Sequence, residues 1–206
     1  TMRVTIPDGS TQELRAEAIL LATGTRPLHP PAITCDHALV YDSDSILMLD
    51  HVPRSMAVIG GGVAACEYPS IFQALGVHVT IVDSKPRLLP WLDAELSRAA
   101  LELFLQAGME IHQEVRATRV EQGEHDVLIS LSSGKRLIAE KVLIASGRIG
   151  NVEALNLPAA GLTATGGEYR GGLLRREIDH ALTRWAEDTG SLTSADQELE
   201  PIAPEV

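Results

Sequence analysis

Aromatic residues make up only 3% of this 206-residue chain, so a buried interior has to be assembled from Ala, Val, Ile and Leu. The hydrophobic share of 45% is ordinary for a globular protein and argues against wholesale disorder. Cysteine is nearly absent. Cys35 and Cys66 are too few for a disulfide framework or a Cys-based zinc site, and they lie too far apart for a close-spaced redox pair. Reduced thiols are expected. Positive charge is short as well: 17 basic against 28 acidic residues leave a net charge of −11, which speaks against a nucleic-acid surface and against a membrane-surface role. No apolar run approaches the roughly 20 residues of a membrane-spanning helix. The opening TMRVTIPDGS lacks the basic, apolar and small-residue regions of a secretory signal. A soluble, cytoplasmic protein is expected. Hydrolytic and metal motifs are missing too: there is no H-E-x-x-H spacing and no G-x-S-x-G elbow. His29, His37 and His51 are read as loop polarity, and no metal site is expected.

What is present falls into three parts. Residues 1–50 hold two strand-like stretches, 3–6 and 14–22, with the turn signal Asp8-Gly9-Ser10 between them and a Pro-rich connector at 26–31. Residues 51–151 are strongly patterned. A short apolar run, Met56 to Ile59, meets three glycines, and an Ala-rich helix follows as far as Leu75, where Gly76 stops it. A second strand, 77–82, ends at Asp83. A helix is predicted over 93–107, with Leu96, Ala99, Ala100, Leu103 and Phe104 as its apolar positions and Asp93 as its cap. A short strand follows at 109–112, and strands at 115–120, 127–131 and 137–146 then form a β-meander. The order strand, helix, strand, helix, strand, meander is an α/β pattern. Residues 152–206 differ: no lysine occurs beyond Thr165, a helix is predicted over 173–185, and 190–206 read as an acidic, disordered tail.

The chemistry signal is MAVIGGGVAACE, residues 56–67. Gly60 and Gly62 form G-x-G between a strand and a helix, and Ala65 takes the third position of G-x-G-x-x-G/A. Gly60 permits a tight turn, Gly62 lets a pyrophosphate approach the backbone, and a small residue at 65 lets helix and strand pack closely. The phosphates would lie on the helix N-terminus, where free N–H groups and the dipole favour anions. Asp83, 21 residues beyond Gly62, is placed to bond the ribose hydroxyls of an adenosine. It disfavours a 2′-phosphate, whereas Lys85 and Arg87 would neutralise one, so NAD and NADP both remain open. Cys66 on the same helix N-terminus has a position that can lower a thiol pKa, although a packed small residue is the expected reading.

With these residues in view, the chain resembles the middle of a flavin-dependent pyridine nucleotide–disulfide oxidoreductase, and within that family it is most similar to the soluble, Si-specific NAD(P)+ transhydrogenases. The resemblance rests on AEAILLATGTRP (16–27), VYDSDSIL (40–47), HVPRSMAVIGGGVAACEYPSIFQALGV (51–77), RLLPWLDAEL (87–96) and LSSGKRLIAEKVLIASGRIGN (131–151), and it covers about residues 1–163. It implies an α/β, Rossmann-like NAD(P)-binding domain with a β-meander over 51–151, flanked by an incomplete FAD-domain segment at 1–50 and a truncated return to it from 152. Thr23 and Gly24 match the turn where the flavin domain approaches FAD. Glu67 matches an acid that lies near the nicotinamide in lipoamide-dehydrogenase-like relatives. Gly147 and Arg148 match the hinge back to the flavin domain. Intact relatives use FAD as well as NAD(P), and they are homo-oligomers. A lipoamide-dehydrogenase-like fragment and a non-catalytic NAD(P)-binding module are the alternatives.

Three departures from the family pattern lead to further expectations. The family's own FAD-binding glycine motif and its dimerisation domain have no counterpart here, so little or no turnover is expected of the chain alone. The pattern stops near Gly161-Leu162, and a frameshifted or a genuine diverged tail would each account for the residues beyond it. Pro69 lies inside the predicted helix, where it removes a hydrogen bond at a cost on the order of 3 kcal/mol, and it predicts a kink or a shortened helix. Without the rest of a flavin domain, residues 14–22 should leave apolar surface uncovered.

Overall fold

The computed structural model describes residues 1–16 and 19–162 together with the backbone of two short pairing strands, Ala164–Thr165 and Glu168–Tyr169. The helix predicted over 173–185 and the acidic tail lie outside the described residues. Two compact units emerge: Thr1–Gly24 with Val152–Val206, and Thr25–Asn151.

In the first unit, the Asp8 carboxylate accepts the Ser10 N–H at 2.8 Å. Gly9 takes φ +85°, open to glycine at no cost. This turn folds β1 (Met2–Thr5) onto β2 (Thr11–Leu14) in antiparallel register, Met2 opposite Leu14. The strand predicted over 14–22 ends at Leu14: among the described residues no ladder partner follows, and residues 19–22 have no regular structure. The apolar exposure expected there is present, with Leu20 72% exposed.

The second unit has three layers. A five-stranded parallel sheet runs in the order β4 (Val40–Asp42), β11 (Lys141–Ile144), β5 (Ser55–Ile59), β6 (His78–Val82), β7 (Glu110–His112). Alternate side chains serve opposite faces. Met56, Val58, Val79, Ile81 and Leu143 pack against helices α1 (Ala64–Ala74) and α2 (Ala94–Gln106). Ala57, Ile59, Val82, Val142 and Ile144 pack against Val127, Ile129 and Leu131. Those last three come from a three-stranded antiparallel sheet of β8 (Ala117–Gln122), β9 (Val127–Leu131) and β10 (Arg136–Ala139). Cover on both faces is why the parallel strands read as unbroken apolar runs. A short pair, β3 (Thr25–Pro27) with β12 (Arg148–Gly150), completes the unit.

Four expectations need correction. The stretch 137–146 is not one meander strand. It breaks at Glu140, whose N–H bonds Ser55 Oγ at 3.0 Å and whose carboxylate accepts the Arg54 N–H at 3.0 Å. The chain after it leaves the antiparallel sheet and becomes β11, between β4 and β5. Asp93 makes no side-chain cap; its carbonyl accepts the Ser97 N–H instead. The inward face of α2 carries Ser97, Leu101 and Phe104, while Leu96 and Leu103 are exposed, so the apolar stripe sits one position further along than predicted. α1, finally, is not shortened. It runs through Pro69, which is buried, and the Ser70 hydroxyl donates to the Cys66 carbonyl at 2.6 Å one turn back. Packing of that turn outweighs the lost N–H.

Asp42 ends β4 and organises the turn after it. Oδ1 accepts the N–H groups of Asp44 (3.0 Å) and Ser45 (2.8 Å) and the Ser45 hydroxyl (2.8 Å). Burial pushes its pKa up, but the Ser45 bonds, His29 and the Asp44 N–H outweigh this and hold it down to about 2. Glu140 is likewise held down to about 2, by the Arg54 N–H and by His51. Both carboxyls titrate below their unfolded values, so each stabilises the fold above about pH 4 and loses that contribution as pH falls toward 2. For Asp42 the contribution is on the order of 2 kcal/mol. The urea midpoint should therefore fall markedly between pH 5 and pH 3, and Asp42→Asn should flatten that dependence. An Asp42→Asn chain with the wild-type slope would contradict the assignment.

Candidate functional site

All five parallel strands point their C-terminal ends the same way, so Asp42, Ile59, Val82, His112 and Ile144 lie along one edge of the sheet. In an open α/β sheet this edge is where ligands bind. A cavity of about 870 Å³ opens here, within the second unit. Its floor is the turn between β5 and α1. Gly60 donates its N–H to Val82 O at 2.9 Å and takes φ +129°; a Cβ at this position would collide with the Ala145 carbonyl. Only glycine fits. At Gly62 the nearest protein atom to a Cβ would be a ring carbon of Trp91 at 3.6 Å. Its missing side chain therefore widens the cavity rather than relieving a clash. Ala65 is fully buried beneath the turn, between helix and sheet. The first N–H groups of a helix have no partner within it, and no side chain caps α1.

Asp83 closes β6 and faces the same turn. It is buried, its N–H is taken by His112 O at 2.9 Å, and Oδ2 has no hydrogen-bond partner among the described residues. Burial pushes its pKa up, against the backbone N–H groups of Lys85 and Ser84 and the Lys85 charge. The carboxylate presses on Gly61, where a Cβ would overlap it. Gly61 is thus a site residue the sequence motif passes over, because the fingerprint treats it as a free position. The Asp83 side chain lines the cavity, with its unpartnered Oδ2 covered by the Gly61 backbone.

The fold carrying this edge matches known proteins. The family model described as pyridine nucleotide-disulphide oxidoreductase matches residues 2–177. The chain belongs to this family. The match also extends past Gly161-Leu162, where the sequence pattern was expected to stop. The chain is 44% identical over 166 residues to a soluble pyridine nucleotide transhydrogenase of Colwellia psychrerythraea, covering 81% of this chain and 36% of that protein. To the protein of the same name from Vibrio vulnificus it is 40% identical over 185 residues, 87% of this chain and 39% of that one. The chain thus spans well under half the length of these relatives. Among solved structures, LpdA from Mycobacterium tuberculosis superimposes with a TM-score of 0.73 at 30% identity, covering 80% of this chain and 36% of that one. The α/β, Rossmann-like fold class is that of this family. No helix among the described residues is long and apolar enough to cross a membrane.

Within this family member, the structure brings most of the residues singled out in the sequence to one cavity. Gly60, Gly62, Glu67, Asp83 and Lys85 line it from the turn and from β6, and Gly147 and Arg148 line it after β11. Arg87 does not: its guanidinium donates to Pro90 O at 2.7 Å, and Arg116, just before the antiparallel sheet, lines the cavity instead. The Val115 N–H bonds Asp83 O at 2.9 Å, and this long-range contact is what no local spacing could reveal. Arg148 is committed to Asp44 Oδ1 (2.6 Å), Ser43 Oγ (3.0 Å) and Thr25 Oγ1 (2.7 Å). Thr23 and Gly24 belong to the other unit. Cys66 is buried, and burial, then the Asp83 and Glu67 charges, push its thiol up to about 11, so the helix N-terminus does not activate it. The histidines are not all plain loop polarity: His29 Nε2 lies 2.9 Å from Asp42 Oδ2.

Proposed function

We propose that residues 25–151 bind NAD(H) or NADP(H), with the pyrophosphate over Gly60–Gly62 and the first turn of α1, and the adenosine ribose on Asp83. The observation that carries this reading is the buried, unpartnered Asp83 Oδ2 beside a glycine turn that leaves room for a ligand. A buried carboxylate oxygen without a donor is costly, and two ribose hydroxyls would supply the donors. Lys85 and Arg116 stand at the rim, where they would offset a 2′-phosphate, while Asp83 would repel it. Glu67 is exposed on the first turn of α1 and lines the same cavity as Gly147, and the nicotinamide end would extend toward it.

The activity proposed for a polypeptide carrying this unit is that of a soluble pyridine nucleotide transhydrogenase, with FAD as the intermediate carrier. Hydride transfer is the chemistry such cofactors supply. This unit's own residues bind and orient the nicotinamide nucleotide. Arg148, matched to the hinge toward the flavin domain, is paired with Asp44 within its own unit. A cytoplasmic location is part of the same proposal.

Calorimetric titration of the purified chain tests it. NADH should bind with micromolar affinity, and NADPH more weakly. Absence of heat with either nucleotide, from a chain that melts cooperatively, would refute the reading. Tighter binding of NADPH would show that Lys85 and Arg116 outweigh Asp83.

A further inference from the structure

At the start of the second unit, three side chains of different metal-ligating type converge beside the nucleotide cavity. His29 Nε2, Cys35 Sγ and Asp42 Oδ2 all lie within 4.8 Å of one another. None of the three lines the cavity. Oδ2 of Asp42 is 2.9 Å from His29 Nε2 and 3.8 Å from Cys35 Sγ. A fourth candidate is close: His37 Nδ1 is 3.6 Å from the same sulfur. We propose that His29, Cys35 and Asp42 form a zinc site, with His37 or a water molecule completing the coordination.

The surrounding backbone holds the ligands in place. Oδ1 of Asp42 is saturated by the turn that follows it, which leaves Oδ2 aimed at the cluster. The loop bearing Cys35 and His37 is tied back by Asp36, whose Oδ1 accepts the N–H groups of Ala38 (3.1 Å), Leu39 (3.1 Å) and Val40 (2.8 Å). His37 itself sits at φ +58°, a left-handed conformation that turns its ring back toward Cys35. Tetrahedral zinc with bonds of about 2.0–2.3 Å separates its ligand atoms by roughly 3.4–3.6 Å. The Cys35–Asp42 spacing of 3.8 Å and the Cys35–His37 spacing of 3.6 Å lie within a few tenths of an ångström of this, and His29 Nε2 lies within 4.8 Å of the sulfur. The His29–Asp42 hydrogen bond would open by about half an ångström as the metal replaces the shared proton.

The charges balance. A dication, one thiolate, one carboxylate and a neutral imidazole sum to zero. Binding expels the Cys35 thiol proton to solvent. Mixed sulfur, nitrogen and oxygen donors in a four-coordinate set suit zinc rather than magnesium or calcium, which take oxygen ligands. Asp42 is buried, Cys35 half-buried and His29 exposed, so the site has an anchored base and a side open to solvent.

Cobalt(II) serves as the visible probe. The full chain, stripped with a chelator and kept reduced without added thiols, should take up one cobalt ion with a sulfur-to-metal charge-transfer band, and one equivalent of zinc should bleach it. Cys35→Ser should lose the band, and His29→Ala should weaken binding at least tenfold. No charge-transfer band in the wild-type chain, a band that survives in Cys35→Ser, or unchanged affinity in His29→Ala would each overturn the site. A measurement on the wild type avoids dependence on the variants' folding: stoichiometric zinc should slow alkylation of Cys35 by iodoacetamide at least tenfold in a peptide map. Unchanged alkylation would overturn the proposal equally. Neither readout depends on nucleotide binding.

Discussion

Asp83→Asn is expected to raise the melting temperature and weaken NADH binding in the same molecule. The carboxyl is buried, and its pKa is raised chiefly by that burial. A raised folded-state pKa means the ionised form is worse placed in the fold than in water, so Asp83 costs stability above its folded pKa, and the cost vanishes below its unfolded one. Asparagine removes the charge at neutral pH yet keeps an oxygen for the N–H groups of Lys85 and Ser84. Stability should therefore rise. Binding should move the other way. Two ribose hydroxyls donating to a carboxylate contribute about 1.5–3 kcal/mol each, and a neutral amide recovers only part of that. NADH affinity should fall by about tenfold to a hundredfold. NADPH affinity should hold or improve, because the repulsion of a 2′-phosphate is gone. Scanning calorimetry and titration of one preparation give both numbers. A destabilised variant that still binds NADH like the wild type would remove Asp83 from the site.

The uneven legibility of this chain in its sequence has physical causes. The strand Val127–Leu131 is found where its alternation puts it, because one face meets the core and the other does not. The turn at Gly60 is legible for a similar reason: strand, glycines and helix are contiguous, and the constraint is local. What escapes is decided by contacts between distant segments. Lys141 and Val142 continue an apolar run that looks like one strand with Leu137, yet the run is shared between two sheets and Glu140 is the corner. β4 pairs with β11, far along the chain, so nothing local marks VYD as a strand until Val142 is beside Val40. Arg116 enters the rim through the Val115–Asp83 bond, and Arg87, nearer in sequence, turns away. His29, Cys35 and Asp42 are separated by ordinary loop residues, with no spacing that marks them as a set.

Gly60→Ala and Gly62→Ala should separate what the glycine turn does for the fold from what it does for the ligand. At Gly60, φ is +129°, a conformation nearly confined to glycine, and the new Cβ would overlap the Ala145 carbonyl. That carbonyl belongs to the segment just after β11, whose next contact is the Ala145 N–H bonded to Ile59 O at 2.9 Å. Relief would have to come from shifting backbone against backbone at the centre of the sheet. Conformational strain alone costs about 1–3 kcal/mol, and the collision adds to it. The total, at least about 3 kcal/mol, is a large part of the 5–15 kcal/mol typical of a domain, and it should lower the melting temperature by about 10 °C. At Gly62 the backbone is ordinary, and the new methyl would meet only the Trp91 ring, at 3.6 Å. Gly62→Ala should fold and melt like the wild type while losing nucleotide affinity, because the methyl occupies the space a pyrophosphate would fill. The contrast between the two variants is the decisive measurement. A stable Gly60→Ala chain would mean the turn is not built as described. A Gly62→Ala chain with full NADH affinity would mean the phosphates lie elsewhere.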